Sequence, residues 1–249
     1  MANIINLSLQ KLLYIIFAGF LIGFSKTGIS SFMMPVIPII AAIFGGREST
    51  GIVLPMLIVG DIIAIKYYNR HANWGDIKKL LPWTLIGLII AAVFGDYINE
   101  NQFKVVLCGT VILCLAILIY FEYKKQNVNI PKNEFLYSIT GVVCGFTSMI
   151  GNAAGPIFSV YLLAKGFKKN NFMGTTAWFF FIVNLIKVPI QIIFWNNITI
   201  KSGITTLIGI PSIIVGAILG VILIKKLDEG LFHKIILIVT GLAAIKLLI

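Results

Sequence analysis

The sequence predicts an all-α, polytopic membrane protein made of two inverted repeats, each a re-entrant or broken helix pair followed by three spanning helices. Three observations lead there. Of 249 residues, 59% are hydrophobic and only 12% charged, with a mean hydropathy of +0.99; an ordinary soluble domain is ~45–50% apolar. Runs such as Leu80 to Phe94, Val105 to Phe121, Phe172 to Trp195 and Ile204 to Ile224 approach or exceed the ~17–25 residues that cross a hydrocarbon core as helix. The alternation of a β-barrel is absent, so helices must satisfy the backbone in lipid. Finally, Gly23-Phe24-Ser25 with Pro35 and Gly45 recurs as Gly145-Phe146-Thr147 with Pro156 and Gly166, and an internal repeat governs how the rest is read.

Taken in order, the first half holds the apolar segments Leu12 to Phe24, Phe32 to Phe44, Gly51 to Ile65, Leu80 to Phe94 and Val105 to Phe121. The second holds Phe135 to Ile150, Ile157 to Ala164, Phe172 to Trp195, Ile204 to Ile224 and Ile235 to Ile249. The first two segments of each half are short, and Ile157 to Ala164 cannot cross ~30 Å at 1.5 Å per helical residue. Re-entrant hairpins are expected there, with Ser25 to Ser31 and Thr147 to Gly155 as tips that meet near the midplane. Residues 1–249 form a single membrane domain, with 9–121 as first repeat and 135–249 as second. The polar stretch Glu122 to Glu134, with Lys124, Lys125, Asn127, Pro131 and Lys132, has the composition of a linker.

The net charge of +11 reads as topology, because the Lys and Arg residues fall in short inter-helix segments and form no amphipathic face for nucleic acid. Alternating the segments across the bilayer gathers Lys66, Arg70, Lys78, Lys79, Lys124, Lys125, Lys132, Lys165, Lys168, Lys169, Lys225, Lys226 and Lys234 on one side. That side is expected to be cytoplasmic and both termini outside, in a multi-pass protein of the cell inner (plasma) membrane. Lys11, Arg47, Lys104, Lys201 and Lys246 fall opposite. An odd number of segments per half then inverts one repeat relative to the other; a homo-oligomer is compatible with this plan. The first apolar run lacks the basic flank and small-residue cleavage site of a removed signal peptide, so the first helix is expected to stay. Cys108, Cys114 and Cys144 lie in apolar runs with no metal-like spacing and read as small buried hydrophobes.

Paired polar, Gly-containing breaks in corresponding segments of two halves point to a carrier's binding site. At the first, Gly23 to Ser31, the following helix offers free N–H groups and a favourable dipole to an anion. Ser25, Thr27, Ser30 and Ser31 add hydroxyls, Gly28 lets a ligand approach the backbone, and Lys26 adds a full charge. The alternative is a small-residue packing turn with Lys26 snorkelling to the interface. At the second, Pro156 is placed to begin a helix, and Thr147 and Asn152 offer donors; Gly151, Ala153, Ala154 and Gly155 are equally suited to close helix contact.

Asp61 lies in the third segment, and Asn184, Lys187 and Gln191 in the eighth, its counterpart. Asn184 and Lys187 stand at i, i+3 and share a face. A mid-membrane charge costs at least ~2.5–3.5 kcal/mol even on the insertion scale, so these groups need partners. Either Asp61 and Lys187 pair, or Lys187 holds an anion while Asp61 carries protons. His71 and Trp74 occupy a cytoplasmic segment and, with His233 the only other histidine, make no nucleophile triad. No nucleotide loop, nucleophile motif or metal-ligand cluster is present in the sequence, so enzymatic chemistry, ATP-driven transport and a cofactor are not expected.

The string GFSKTG from Gly23 to Gly28, Gly145 to Pro156 continuing through Tyr161-Leu162-Leu163, and Gly174-Thr175-Thr176-Ala177-Trp178-Phe179-Phe180 with Asn184-Leu185-Ile186-Lys187-Val188-Pro189 resemble the sulfite exporter TauE/SafE-like family of membrane permeases. Many relatives have a run of glycines where this chain has Ser25, Lys26, Thr27 and Ser30, which sets it in a GFSKTG-containing branch. The resemblance implies two related halves and transport of sulfur oxyanions or organosulfonates. Residues and resemblance together lead to an anion permease in the lipid bilayer, with a central site of Ser25, Lys26, Thr27, Gly28, Thr147, Asn152, Asn184 and Lys187, working by alternating access and more readily in export. Proton-coupled uptake through Asp61, or a channel, is the alternative.

Overall fold

The computed structural model describes residues 9–33, 36–99, 101–103, 105, 106, 109, 134–228, 231, 234 and 235. The linker up to residue 133, Cys108, Cys114, Pro35, His233 and nearly all of the fifth and tenth apolar segments lie outside them. Every regular element among the described residues is helical: α1 (Leu9–Thr27), a 3₁₀ turn (Ser30–Met33), α2 (Val36–Phe44), α3 (Gly46–Tyr68), α4 (Trp74–Tyr97), α5 (Glu134–Gly151), α6 (Gly155–Ala164), α7 (Lys169–Ile190, continued by a π turn, Gln191–Trp195) and α8 (Ile200–Lys226). Five stretches are long and apolar enough to cross a membrane: Leu9–Thr27, Gly46–His71, Trp74–Tyr97, Lys169–Trp195 and Ser202–Lys226.

The helix pairs at the start of each half are unequal. The apolar run Leu12 to Phe24 extends into a 19-residue helix, about 28 Å long, so the expectation of two short limbs is corrected for α1. Among the described residues, α2, with 9 residues, and α6, with 10, are too short to cross, and the apolar part of α5, Tyr137–Gly151, is also shorter than the five spans. Local chemistry sets these limits. Asn152 adopts a left-handed φ of 55° at the end of α5, a conformation that Asn tolerates better than most residues, and Pro156 sits in the first turn of α6, where its missing N–H costs nothing. Gly166, at φ 72°, closes α6 by bonding the Leu163 carbonyl while Phe167 bonds that of Leu162. Asn73 caps α4 by accepting from the Asp76 amide, and Thr199 with Ser202 forms a reciprocal cap on α8.

α1 packs along α8 and α4 along α5, so each half's first helix lies against the fourth helix of the other half. Glycine permits both contacts. A Cβ on Gly23 would stand 1.9 Å from the Ile213 carbonyl oxygen, and one on Gly145 2.1 Å from that of Thr84, so backbone meets backbone as small residues allow in membranes. α3 and α7 pack on one another through the centre, carrying Asp61, Asn184, Lys187 and Gln191, all buried. One end of the bundle gathers the starts of α4 and α7 with the ends of α6 and α8, shown by Lys165 bound to Asp76 and Lys169 bound to the Leu227 carbonyl. At the other end Arg47 binds the Gly95 and Ile98 carbonyls. The basic inter-helix segments among the described residues therefore cluster at one end.

Candidate functional site

The two chain breaks meet at a small cavity of about 40 Å³. α1 contributes Ser25 and Lys26, α3 Leu57 and Asp61, the second break Ser148, Asn152 and Gly155, and α7 Thr176, Phe180 and Asn184. Thr176, Phe180, Asn184 and Lys187 recur at helical spacing on α7, so one face supplies a hydroxyl, a ring, an amide and an ammonium to the middle of the bundle.

Lys26 ends α1 and turns inward. Its Nζ lies 2.7 Å from Asp61 Oδ1 and 5.0 Å from the centroid of the Phe180 ring, a geometry that lets the ring face as well as the carboxylate stabilise the ammonium. The Asn184 amide donates to Asp61 Oδ2 at 2.6 Å, so both carboxylate oxygens are engaged. Lys26 does not snorkel; its side chain is 13% exposed. The expected contact between Asp61 and Lys187 is corrected: α1 delivers Lys26 to the carboxylate first, and Lys187, one turn beyond Asn184, faces the second break. There its ammonium donates to the Ser148 carbonyl at 2.8 Å, to Ser148 Oγ at 3.3 Å and to Asn152 Oδ1 at 2.5 Å. Lys187 is completely buried and stands behind the residues that line the cavity.

Of the site residues expected from sequence, Ser25, Lys26, Asp61, Asn152 and Asn184 line the cavity. The Ser25 hydroxyl donates back to the Ile22 carbonyl at 3.0 Å. Thr27, Gly28 and Thr147 do not line it. Thr27 donates to the Ala217 carbonyl at 2.7 Å and its own carbonyl accepts from the Tyr68 hydroxyl at 3.0 Å, tying α1 to α8 and α3. A Cβ on Gly28 would meet the Phe24 carbonyl at 2.6 Å. Thr147 donates to the Cys144 carbonyl at 3.3 Å, and Cys144 is itself buried. A one-residue step along each tip explains the division. At Ser25 and Lys26, and again at Ser148, side chains line the cavity, whereas Thr27, the next position in the first tip, bonds α8 and Thr147, the preceding one in the second, bonds a carbonyl of its own helix. After the first tip the chain forms a 3₁₀ turn in which the Phe32 amide bonds the Ile29 carbonyl, so the continuous helix start expected there is replaced by an irregular turn.

Sequence reasoning passed over Ser148, Thr176 and Phe180 as site residues. The 4-4-3 spacing from Thr176 to Lys187 is the signal that finds the last two. It also passed over a second buried cluster at the lysine-rich end, where Asp76 Oδ1 accepts from Tyr137 at 3.1 Å, Tyr161 at 2.9 Å and Lys165. Burial alone would lower the Lys165 ammonium's pKa, but hydrogen bonds from it to Asp76 and Tyr137 and the Asp76 charge hold it above the usual lysine value. A larger cavity of about 470 Å³ opens at the opposite end, beside Arg47, Trp195 and Asn197. Arg47 there is occupied in capping the end of α4. The smaller, central cavity is the better candidate, because buried charges from three helices converge on it.

Comparison with known proteins adds one finding. The model of the family described as Sulfite exporter TauE/SafE matches residues 12–247, nearly the whole chain, and the chain belongs to that family. No curated protein and no solved structure matches it.

Proposed function

We propose that this family member is a permease that carries small anions, sulfur oxyanions or organosulfonates, through the membrane by alternating access at the central cavity, more readily outward. The observation that carries this reading is the meeting of the two chain breaks at a buried cavity flanked by two ammonium groups, Lys26 and Lys187. A carrier needs a site reachable in turn from each side, and discontinuous helices near the middle of the bilayer supply one without exposing unpaired backbone to lipid. The unequal pairs α1/α2 and α5/α6 give each half one longer limb and one shorter, and the cavity takes lining from the end of α1, from Met33 after it and from the second break; rocking one half against the other is the motion proposed.

Direction follows from the membrane potential. With the cell interior negative, expelling one negative charge gains ~2.3 kcal/mol per 100 mV, so export needs no coupled ion and uptake does. Asp61, the candidate proton carrier, is held by Lys26 and Asn184 at once, an arrangement that favours a fixed counter-charge over a group that cycles through its protonated form. The lysine-rich end of the bundle is assigned to the cytoplasm and both termini to the outside.

Flux in proteoliposomes tests the proposal. Sulfite, sulfate, 2-hydroxyethanesulfonate and methanesulfonate are loaded inside, and efflux is followed with an imposed potential of either sign. Saturable efflux of at least one of them, accelerated when the compartment it leaves is negative and stimulated by the same anion outside, is the expected result. Flux that rises linearly with concentration describes a channel, and no flux of any of the four removes the proposal.

A further inference from the structure

We propose that the central site takes a compact monovalent oxyanion, such as hydrogensulfite or the smallest sulfonates, and rejects a dianion of the same shape, because the buried charges around it sum to one positive charge. The inference rests on the anion-permease reading and narrows it.

The sum is read from contacts. Lys26 and Asp61 cancel, at 2.7 Å, and the second carboxylate oxygen is taken by Asn184, so Asp61 has no free oxygen to offer another cation. Lys187 is left over. Its hydrogen-bond partners among the described residues are a carbonyl, a hydroxyl and an amide oxygen, all neutral. The sequence holds nine carboxylates, and Asp61 alone falls inside an apolar segment. The others occupy helix ends or the polar stretches between apolar runs, so no second acid stands in an apolar run to balance Lys187. An ammonium buried without a counter-charge is costly, and a bound monoanion offsets that cost. A dianion would exchange one uncompensated charge for another of opposite sign.

The wall translates that charge into donors. An ammonium can only donate, so Asn152 must turn its amide oxygen and Ser148 an oxygen lone pair toward Lys187. The Asn152 NH₂ and the Ser148 hydroxyl hydrogen are thereby directed away from it, and both residues line the cavity. Thr176 supplies an independent observation. It is 7% exposed, lines the same cavity, and its hydroxyl is buried without a protein partner. A volume of about 40 Å³ has room for a few waters or one small anion; the side chains of Met33, Leu57, Ala177 and Phe180 on its other walls are apolar, and the Ser25 hydroxyl is spent on the Ile22 carbonyl.

Methanesulfonate and sulfate share a tetrahedral shape and size and differ by one charge. The full-length protein is purified, and its unfolding midpoint is titrated with each as the sodium salt, at ionic strength held constant with chloride. Methanesulfonate is expected to stabilise saturably, reaching half its effect at a concentration at least about tenfold below that of sulfate. Asp61→Asn raises the charge sum by one and is expected to reverse the order in favour of sulfate, while Lys187→Met lowers it to zero and removes the response to methanesulfonate. A parent protein that prefers sulfate or fails to discriminate overturns the inference and leaves the permease reading standing. So does a folded Asp61→Asn variant that keeps the parent's preference. If neither anion stabilises the parent, both the inference and the central anion site fall. Should Asp61→Asn not fold, the comparison in the parent protein decides alone.

Discussion

Lys26, Asp61, Asn184 and Lys187 show how much depends on the partner that a buried charge finds. Each is costly in an apolar segment, and the sequence shows that cost directly: one acid and two bases stand where lipid-compatible residues are the rule. Pairing them is a different question, because Lys26 is 35 positions from Asp61 in the chain while Lys187 is 126 away, and only the approach of α1 to α3 makes the nearer one the partner. The consequence is measurable by thermal unfolding of purified variants. Lys26→Met or Asp61→Asn alone strands the other charge and is expected to cost ~3–5 kcal/mol, whereas the double variant recovers a large part of that loss. The same cycle run on Asp61 and Lys187 is expected to show a smaller coupling, since no hydrogen bond joins them. Equal couplings in the two cycles would refute the assignment of Lys26 as the counter-ion.

Elements succeed or fail by their ends. Pro156, Asn73 and Thr199 begin helices and Gly166 ends one, each acting within a few residues of itself; of these limits, the start at Pro156 is the one expected from the sequence. The cluster that ties the end of α6 to the starts of α4 and α5 gives no such local signal: Asp76, Tyr137, Tyr161 and Lys165 converge from three helices. Its pH dependence follows from the raised Lys165 pKa. A group whose folded pKa exceeds its unfolded one contributes stability fully below the unfolded value, ~10.4 for lysine, and loses it as pH rises through the folded value. Between neutral pH and ~10 the contribution is therefore constant, and above that it declines. Lys165→Met is expected to lose about 2 kcal/mol at pH 7, less than a fully buried pair because the ammonium keeps some access to water. The gap between parent and variant should close above pH ~10.5. A gap that stays constant to pH 11.5 would mean that Lys165 acts through packing of its stem and not through its charge.

The whole molecule is organised by charge at its ends and by glycine between its helices. Lys78, Lys168 and Lys226 belong to one end and Arg47 and Lys201 to the other, as the antiparallel runs of α3 with α4 and of α7 with α8 require. Assigning the lysine-rich end to the cytoplasm gives a direct test in intact cells. Cysteine placed at Lys201 should react with an impermeant thiol reagent added outside, and cysteine at Lys78 should react only after the cells are opened. Labelling of both from outside would defeat the proposed orientation, and labelling of Lys78 alone would reverse it.

By itself the sequence determined the solvent in which this chain folds, its helical class, the start of α6 at Pro156 and the residues that have no place in lipid without a reason. All of these depend on composition or on neighbours a few positions apart. It also marked both breaks, since glycine and small polar residues interrupt apolar runs twice in the same pattern. What tertiary structure decided was facing. Within each tip a helix turns 100° per residue, so Lys26 and Ser148 reach the cavity while adjacent Thr27 bonds a carbonyl of α8 and Thr147 one of its own helix, and no local rule separates a hydroxyl that lines a cavity from one that bonds backbone. The length of α1, the choice of Lys26 over Lys187 as partner to Asp61, and the convergence of Thr176 and Phe180 on the same cavity all depend on where distant helices come to rest. That is set by the close backbone approach at Gly23 and Gly145 and by the buried charges, which are stable only when a partner from another helix reaches them.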